Sequence, residues 1–187
     1  VLAAMNDTLA PRGPDGAGLL VAGGAGLAMR RLAIIYVAGG DQPIHSEDGL
    51  VSVVFNGEIY NYLELRSELT REHAAEFLTE GDGEPIVAAF HYWGTDAVRR
   101  LRGMFAFAIW DTDTRELFVA RDPFGIKPLF IMEHVGGLAF ASEPRAFFAA
   151  GLMQKVLDET AARELLDLNY VLGERSIFHG LRRLAPG

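Results

Sequence analysis

Apolar residues along the chain form short β-like runs that alternate with stretches of helical spacing. The run 104–110 is apolar at every position, which is typical of a strand covered on both faces. Further strands are predicted at 18–22, 25–35, 50–55, 116–120, 128–132 and 138–141, several of them joined by glycine-bearing turns. The strand at 50–55 is expected to end at Asn56-Gly57.

Helices are predicted where apolar residues recur every three or four positions. They cover 1–9, 58–69, a segment starting near Pro85, and 158–168. In the second of these, Glu64 and Arg66 are expected to face solvent. Strands buried on both faces and flanked by helices predict a layered α+β sandwich.

The C-terminal part of the chain differs from the rest in pattern and composition. The segment 173–187 is rich in glycine and arginine and continues none of the earlier periodicity. With 187 residues, half of them hydrophobic, the chain can bury one sizeable core with a little left over. We therefore predict one domain over 1–151, with 152–187 as a linker and the start of another domain.

The acidic balance of the chain argues against several classes of partner. A net charge of −8 and a pI near 5.1 disfavour binding to nucleic acid or to an anionic membrane. No stretch approaches the roughly 20 apolar residues of a membrane span, and no secretory signal is recognised, so a cytoplasmic location is expected. The chain has no cysteine, and its five histidines lack ligand spacing, so neither a disulfide nor a protein-bound metal is predicted.

Seven short motifs are more specific together than any one of them alone. They are RGPDGAG at 12–18, RRLAII at 30–35, FNGEIYNY at 55–62, EGDGE at 80–84, GMFAFAIWD at 103–111, ARDPFGIKPLF at 120–130 and ASEPRA at 141–146. Their order resembles the glutaminase domain of class II glutamine amidotransferases, most closely that of the glutamine-hydrolysing asparagine synthetases. The resemblance covers about residues 1–150, and 177–187 is similar to the segment that opens the synthetase domain. It implies the four-layer αββα sandwich of N-terminal-nucleophile hydrolases, with the N-terminal strand missing from this chain.

The resemblance also implies where the chemistry lies. In that family an N-terminal cysteine attacks the side-chain amide of glutamine and forms a thioester. The side-chain amide of Asn56 and the backbone N–H of Gly57 are then expected to form the oxyanion hole. Arg31 is expected to pair with the α-carboxylate of glutamine, and Asp82, with the backbone near Gly81, to bind the α-ammonium. The other residues expected to line this pocket are Leu32, Ile34 and Glu58.

Each of these residues also has an ordinary structural role that the sequence leaves open. Asn-Gly after a strand is most often a tight turn. Arg31 suits a surface ion pair, as Arg30 does, and Asp82 suits the cap of the helix that starts near Pro85. The glycine at 57 has a further reason, because it lets the backbone approach the substrate without a Cβ in the way.

The chain departs from the family pattern in several places. Pro11 and Met29 stand where the family usually has histidine, and Ala33 and Tyr36 replace the more usual serine and aspartate. The larger departure is the absence of any cysteine, and so of the nucleophile. Loss of the first strand is the simpler explanation, and a degenerate domain is the alternative. Either one predicts that this stretch alone does not hydrolyse glutamine.

The sequence therefore predicts the glutaminase portion of an enzyme of the asparagine synthetase type. The resemblance implies that ammonia from L-glutamine passes to a C-terminal synthetase domain, where ATP and Mg²⁺ activate aspartate. No cofactor is expected in this chain, which contains no glycine-rich phosphate loop. Homodimers are common in the family. Two alternatives stay open: an amidotransferase with another acceptor, resembling the N-acetylglutaminylglutamine amidotransferases, and a non-catalytic scaffold domain.

Overall fold

The structure is a computed structural model that describes residues 1–35 and 39–187. Its helices are α1 (Leu2–Thr8), α2 (Tyr62–His73), α3 (Glu84–Trp93), α4 (Arg145–Ala149) and α5 (Glu159–Leu168), with a 3₁₀ helix at Gly94–Arg100. Its strands are β1 (Gly16–Ala22), β2 (Ala25–Arg31), β3 (Ile44–His45), β4 (Val51–Ile59), β5 (Gly103–Asp111), β6 (Glu116–Arg121), β7 (Phe130–His134), β8 (Gly137–Ala141) and β9 (Arg182–Arg183). Within the described ranges they form antiparallel sheets of order β1-β2, β3-β4-β5-β6 and β8-β7-β9.

The four-stranded sheet lies between two different layers. One of its faces, with Phe55 and Phe107, packs against α2 and α3. The opposite face, with Val54 and Trp110, packs against β1 and β2. Both sets come from β4 and β5, because successive side chains of a strand point to opposite faces. The prediction that the run 104–110 is covered on both sides is confirmed.

A further core lies on the outer side of β7 and β8. Met5 of α1 and Phe147 of α4 pack there with Met132 of β7 and Ala141 of β8. The layers therefore follow the order helix, sheet, sheet, helix, and the expected αββα sandwich is confirmed. In the part of the chain that the structure describes, no helix has the length and apolar character needed to cross a membrane.

Several element boundaries differ from the prediction, among them the ends of β2 and β4 and the start of α2. The strand expected to stop at residue 55 continues to Ile59, because β5 pairs with β4 along its whole length. The following helix therefore begins at Tyr62 and not at Glu58. β2 ends at Arg31 instead of reaching residue 35, because its partner β1 begins at Gly16, which lies opposite Arg31.

The C-terminal segment packs on the same body as the residues before it. β9 pairs with β7, and Leu181 is buried in the core beneath α1 and α4. In addition, Nη1 of Arg121 donates a hydrogen bond to the carbonyl oxygen of Leu184 at 2.8 Å. These contacts join residues on both sides of the domain boundary predicted near Gly151. The division into two domains stays a prediction.

Candidate active site

The end of β4 brings Asn56, Gly57 and Glu58 to one side of the central sheet. All three are half-buried, and the flanking Phe55 and Ile59 are buried against the helices. Because side chains alternate along a strand, those of Asn56 and Glu58 point between the two sheets. Within residues 1–35 and 39–187, the carboxamide of Asn56 makes no hydrogen bond to the protein.

Gly57 is required by the neighbouring strand. Asn56 and Gly57 pair with Ala106 and Phe105 of β5, so the tight-turn alternative for this dipeptide is wrong. Gly57 has a φ of +152°, and a Cβ at this position would lie 2.1 Å from the carbonyl oxygen of Met104. Any side chain would therefore force β4 and β5 apart. This packing is a second reason for glycine, besides the approach to substrate that the sequence suggests.

The backbone N–H of Gly57 points away from β5. On that side of β4, Phe55 bonds to the Gln42 side chain and the N–H of Ile59 donates to Asp82. Bonding direction alternates along an antiparallel strand, so Gly57 shares the orientation of Phe55 and Ile59. The predicted oxyanion donor thus lies on the edge of β4 beyond the point where β3 ends.

Arg31, at the end of β2, is held by the RGPD motif. The N–H of Asp15 donates to the carbonyl oxygen of Arg31 at 3.0 Å, and the carboxylate of Asp15 accepts the N–H of Ala33 at 2.9 Å. Nη2 of Arg31 in turn donates to the carbonyl oxygen of Ile35 at 3.2 Å. The guanidinium is half-buried beside the cleft. Its positive charge acts to lower the pKa of Asp82.

The turn before α3 is organised by two side chains whose role the sequence did not reveal. Arg66 of α2 donates to the carbonyl oxygen of Gly81 at 3.1 Å and also to that of Thr79. Glu84 accepts the backbone N–H groups of Leu78 and Thr79 at 3.2 and 2.9 Å. Arg66 is therefore packed over this turn, and the prediction that it faces solvent is wrong. Helical spacing places a residue on a helix but does not reveal which loop folds over it.

Asp82 is a buried carboxylate next to β4. It is 8% exposed, and its Oδ2 accepts the N–H of Ile59 at 3.0 Å. Burial raises the pKa of Asp82 above its ordinary value, the charge of Glu58 adds to the rise, and the bond from Ile59 and the charge of Arg31 oppose it. α3 begins after Gly83 without a side-chain cap, so the helix-cap alternative for Asp82 is wrong.

All of the residues expected at the site border one cleft. The cleft has a volume of about 1610 Å³ and extends from α1, between the sheets, to the start of α3. Leu32 and Ile34 are 55% and 67% exposed there. The expected residues that border it are Arg31, Leu32, Ile34, Asn56, Gly57, Glu58, Gly81 and Asp82. Tyr36, a departure from the family pattern, lies outside the described residues.

The cleft offers fixed charges of both signs and neutral donors. Arg31 provides a cation, Asp82 and Glu58 provide acids, and Asn56 and Gly57 provide N–H groups. No group of three or more histidine, cysteine, aspartate or glutamate side chains in the described ranges could hold a metal ion. This arrangement suits a zwitterionic amino acid on which negative charge develops during the reaction.

A family model described as "Glutamine amidotransferase domain" matches residues 1–187. The chain belongs to this family. Glutamine is therefore the substrate class that the domain implies.

Two relatives are similar to this glutamine amidotransferase domain over most of its length. One, from Mycobacterium tuberculosis (strain ATCC 25618 / H37Rv), is provisionally named a glutamine-hydrolysing asparagine synthetase; it is 49% identical over 191 residues, covering 94% of this chain and 29% of the relative. Asparagine synthetase (glutamine-hydrolysing) 1 of Bacillus subtilis (strain 168) is 37% identical over 183 residues, covering 98% and 29%. The chain thus spans less than a third of the length of these relatives.

A solved structure supports the fold of the domain. The glutamine phosphoribosylpyrophosphate amidotransferase from B. subtilis, complexed with ADP and GMP, superposes with a TM-score of 0.65 at 23% identity. The match covers 79% of this chain and 40% of that one. The fold is therefore that of the N-terminal-nucleophile amidotransferases.

Proposed function

We propose that this chain is the glutaminase portion of a glutamine-hydrolysing asparagine synthetase. It would release ammonia from L-glutamine and supply it to a C-terminal synthetase domain that amidates aspartate. Similarity to asparagine synthetases over nearly the whole chain supports this proposal. The structural observation that carries it is Asp82, a buried carboxylate with a raised pKa that borders the same cleft as the Arg31 guanidinium.

The two charged groups suit the two ends of glutamine. Arg31 binds the α-carboxylate, for which its planar guanidinium is well shaped. Asp82 binds the α-ammonium, together with the carbonyl oxygen of Gly81, which already accepts one bond from Arg66 and keeps a second lone pair. Anchored at both charges, the substrate extends its side-chain amide towards the end of β4.

The end of β4 supplies the donors for the reaction. The Asn56 carboxamide and the Gly57 N–H stabilise the oxyanion, and the pairing of β4 with β5 holds the backbone that carries both groups. Glu58, Leu32 and Ile34 complete the pocket. The nucleophile is a cysteine outside these 187 residues, which contain none. ATP and Mg²⁺ act in the synthetase portion.

The experiment that tests this function is Asn56→Ala in the full-length protein. Loss of one oxyanion donor should lower glutamine-dependent turnover by about two to three orders of magnitude, while ammonia-dependent synthesis is unchanged. Both rates are measured in steady state with glutamine or ammonium as the nitrogen source.

Asn61→Ala is the matched control from the same motif. The buried Asn61 side chain bonds to the carbonyl oxygen of Arg100 at 3.0 Å and to the N–H of Arg102 at 2.8 Å. Its removal should destabilise the protein and lower both activities together. If Asn56→Ala behaved in the same way, Asn56 would be structural. A full-length protein that released no ammonia from glutamine would overturn the proposal and leave a scaffold.

A further inference from the structure

Just before Asn56, a glutamine side chain bonds to the edge of β4 that faces away from β5. β3 covers this edge only opposite 52 and 53. Beyond it, Nε2 of Gln42 donates to the carbonyl oxygen of Phe55 at 2.9 Å, and Oε1 of Gln42 accepts the N–H of Phe55 at 2.6 Å. A carboxamide carries a donor and an acceptor side by side, so it bonds to both backbone groups of one residue as a strand would.

The backbone of Gln42 is itself fixed. β1 packs directly against it, since a Cβ at Gly18 would lie 1.6 Å from the carbonyl oxygen of Gln42 and 3.1 Å from Cδ of Pro43. The side chain is half-buried between β1 and β4. The carboxamide therefore starts from a defined position, and its two bonds transmit that position to Phe55.

The segment that carries the donors is held at both ends from outside the sheet. Gln42 holds Phe55 and Asp82 holds Ile59, and the N–H of Gly57 lies between them on the same edge. Without the bonds from Gln42, the Phe55 end of the segment would be restrained by its pairing with β5 alone, while Asp82 would still hold Ile59. An oxyanion donor acts through a distance of about 2.7 to 3.1 Å, and a displacement of about 1 Å can cost roughly a hundredfold in rate.

We propose that Gln42 is a positioning residue for the oxyanion hole. It fixes Phe55 and thereby sets where the Asn56 carboxamide and the Gly57 N–H stand during the reaction. This role rests on the proposed glutaminase function, and it deepens that function by naming the group that aligns the donors.

Gln42→Met in the full-length protein is the test. Methionine keeps the length and volume of the side chain but can neither donate to nor strongly accept from Phe55. The kcat for glutamine hydrolysis should fall at least about tenfold with the glutamine KM within about twofold, because the donors act on the transition state. Ammonia-dependent synthesis should not change. Gln154→Met, the same substitution at an exposed glutamine, is the control and should change neither activity.

Gln42→Glu separates alignment from packing. Its carboxylate accepts the Phe55 N–H but repels the Phe55 carbonyl oxygen, whereas the protonated acid again offers a donor beside an acceptor. The kcat of Gln42→Glu relative to the unchanged enzyme should therefore rise as the pH falls through the pKa of the new carboxyl group. A ratio that stays constant with pH would overturn the alignment role.

Two outcomes distinguish this proposal from the function on which it rests. If the unchanged full-length protein releases no ammonia, the glutaminase function fails, and the hold on Phe55 is still tested by amide hydrogen exchange. Exchange at Phe55 should be faster in Gln42→Met and unaltered in Gln154→Met. If the unchanged protein is active and Gln42→Met matches it in kcat, or loses both activities together, the positioning role is wrong.

Discussion

Asp82 and Asp122 are two buried aspartates that the fold uses differently. Asp122 is fully buried in the loop after β6, and its carboxylate accepts four backbone N–H groups at 3.0 to 3.3 Å. The donors are Phe105, Phe124, Ile126 and Lys127. The carboxylate of Asp82 accepts an N–H from one other residue, Ile59.

This difference in donors reverses the direction of the pKa shift. Burial acts to raise the pKa of Asp122, but its four N–H donors together outweigh burial and hold the pKa below its ordinary value. At Asp82 burial prevails, and the pKa lies above its ordinary value. The fold itself thus stabilises the charged form of Asp122, whereas the charged form of Asp82 would be stabilised by a bound cation. The number of backbone donors thus distinguishes Asp122 from Asp82, the aspartate that we propose to bind the substrate.

The largest effect is expected from Asp122→Ala. Removing this carboxylate leaves four backbone N–H groups without their acceptor, of which that of Phe105 is buried and the other three are partly buried, at roughly 1 to 3 kcal/mol each. The free energy of unfolding should therefore fall by at least about 4 kcal/mol, measured by urea denaturation. Asp113→Ala, in the exposed turn between β5 and β6, is the control and should stay within about 0.5 kcal/mol. If Asp122→Ala lowered the free energy of unfolding as little as Asp113→Ala does, the four N–H groups would have found other acceptors.

Asp82→Asn should affect binding and leave the fold nearly unchanged. The asparagine oxygen can still accept the N–H of Ile59, but the charge needed for the α-ammonium is lost. The glutamine KM of the intact enzyme should rise at least about tenfold, or about 1.4 kcal/mol, with a thermal midpoint shift of no more than a few degrees. An unchanged KM would move the ammonium site to another acid, with Glu58 and Glu84 the next to substitute.

The smallest effect is a pH dependence of glutamine binding. Protonated Asp82 cannot pair with an ammonium group, so the glutamine KM should fall as the pH rises from the ordinary aspartate range through the raised pKa of Asp82, and then level off. The profile of KM against pH is compared between the unchanged enzyme and Asp82→Asn, which should lack this fall. Identical profiles would mean that Asp82 does not titrate with binding.

The layers of the fold could be predicted from local sequence, but the conformation of the site could not. The run 104–110 is apolar at each position because both of its faces are covered, and that signal lies within the run itself. Asn56-Gly57 favours a turn locally, yet it is extended because β5 pairs with it from far along the chain. The local residue pattern at Asn56-Gly57 carries no information about which distant strand will pair with it.

The supports of the site were the least predictable residues. Gln42 and Arg66 act through backbone atoms of Phe55, Thr79 and Gly81, and backbone atoms are the same in every residue. Nothing in the sequence therefore marks which polar side chain will bond to them. The residues expected to contact glutamine were accessible only through the family resemblance, and their roles stay predictions.

Arg121 determines how small a piece of this protein can be excised. Its side chain, in a residue only 9% exposed, donates to the carbonyl oxygens of Gly125, Lys127 and Leu184. A fragment ending before Leu184 would leave a buried cation short of an acceptor, which is a costly defect. The shortest usable expression fragment is thus set by long-range hydrogen bonds at Leu184, from Arg121 and to Leu129, and not by the change in composition near Gly151.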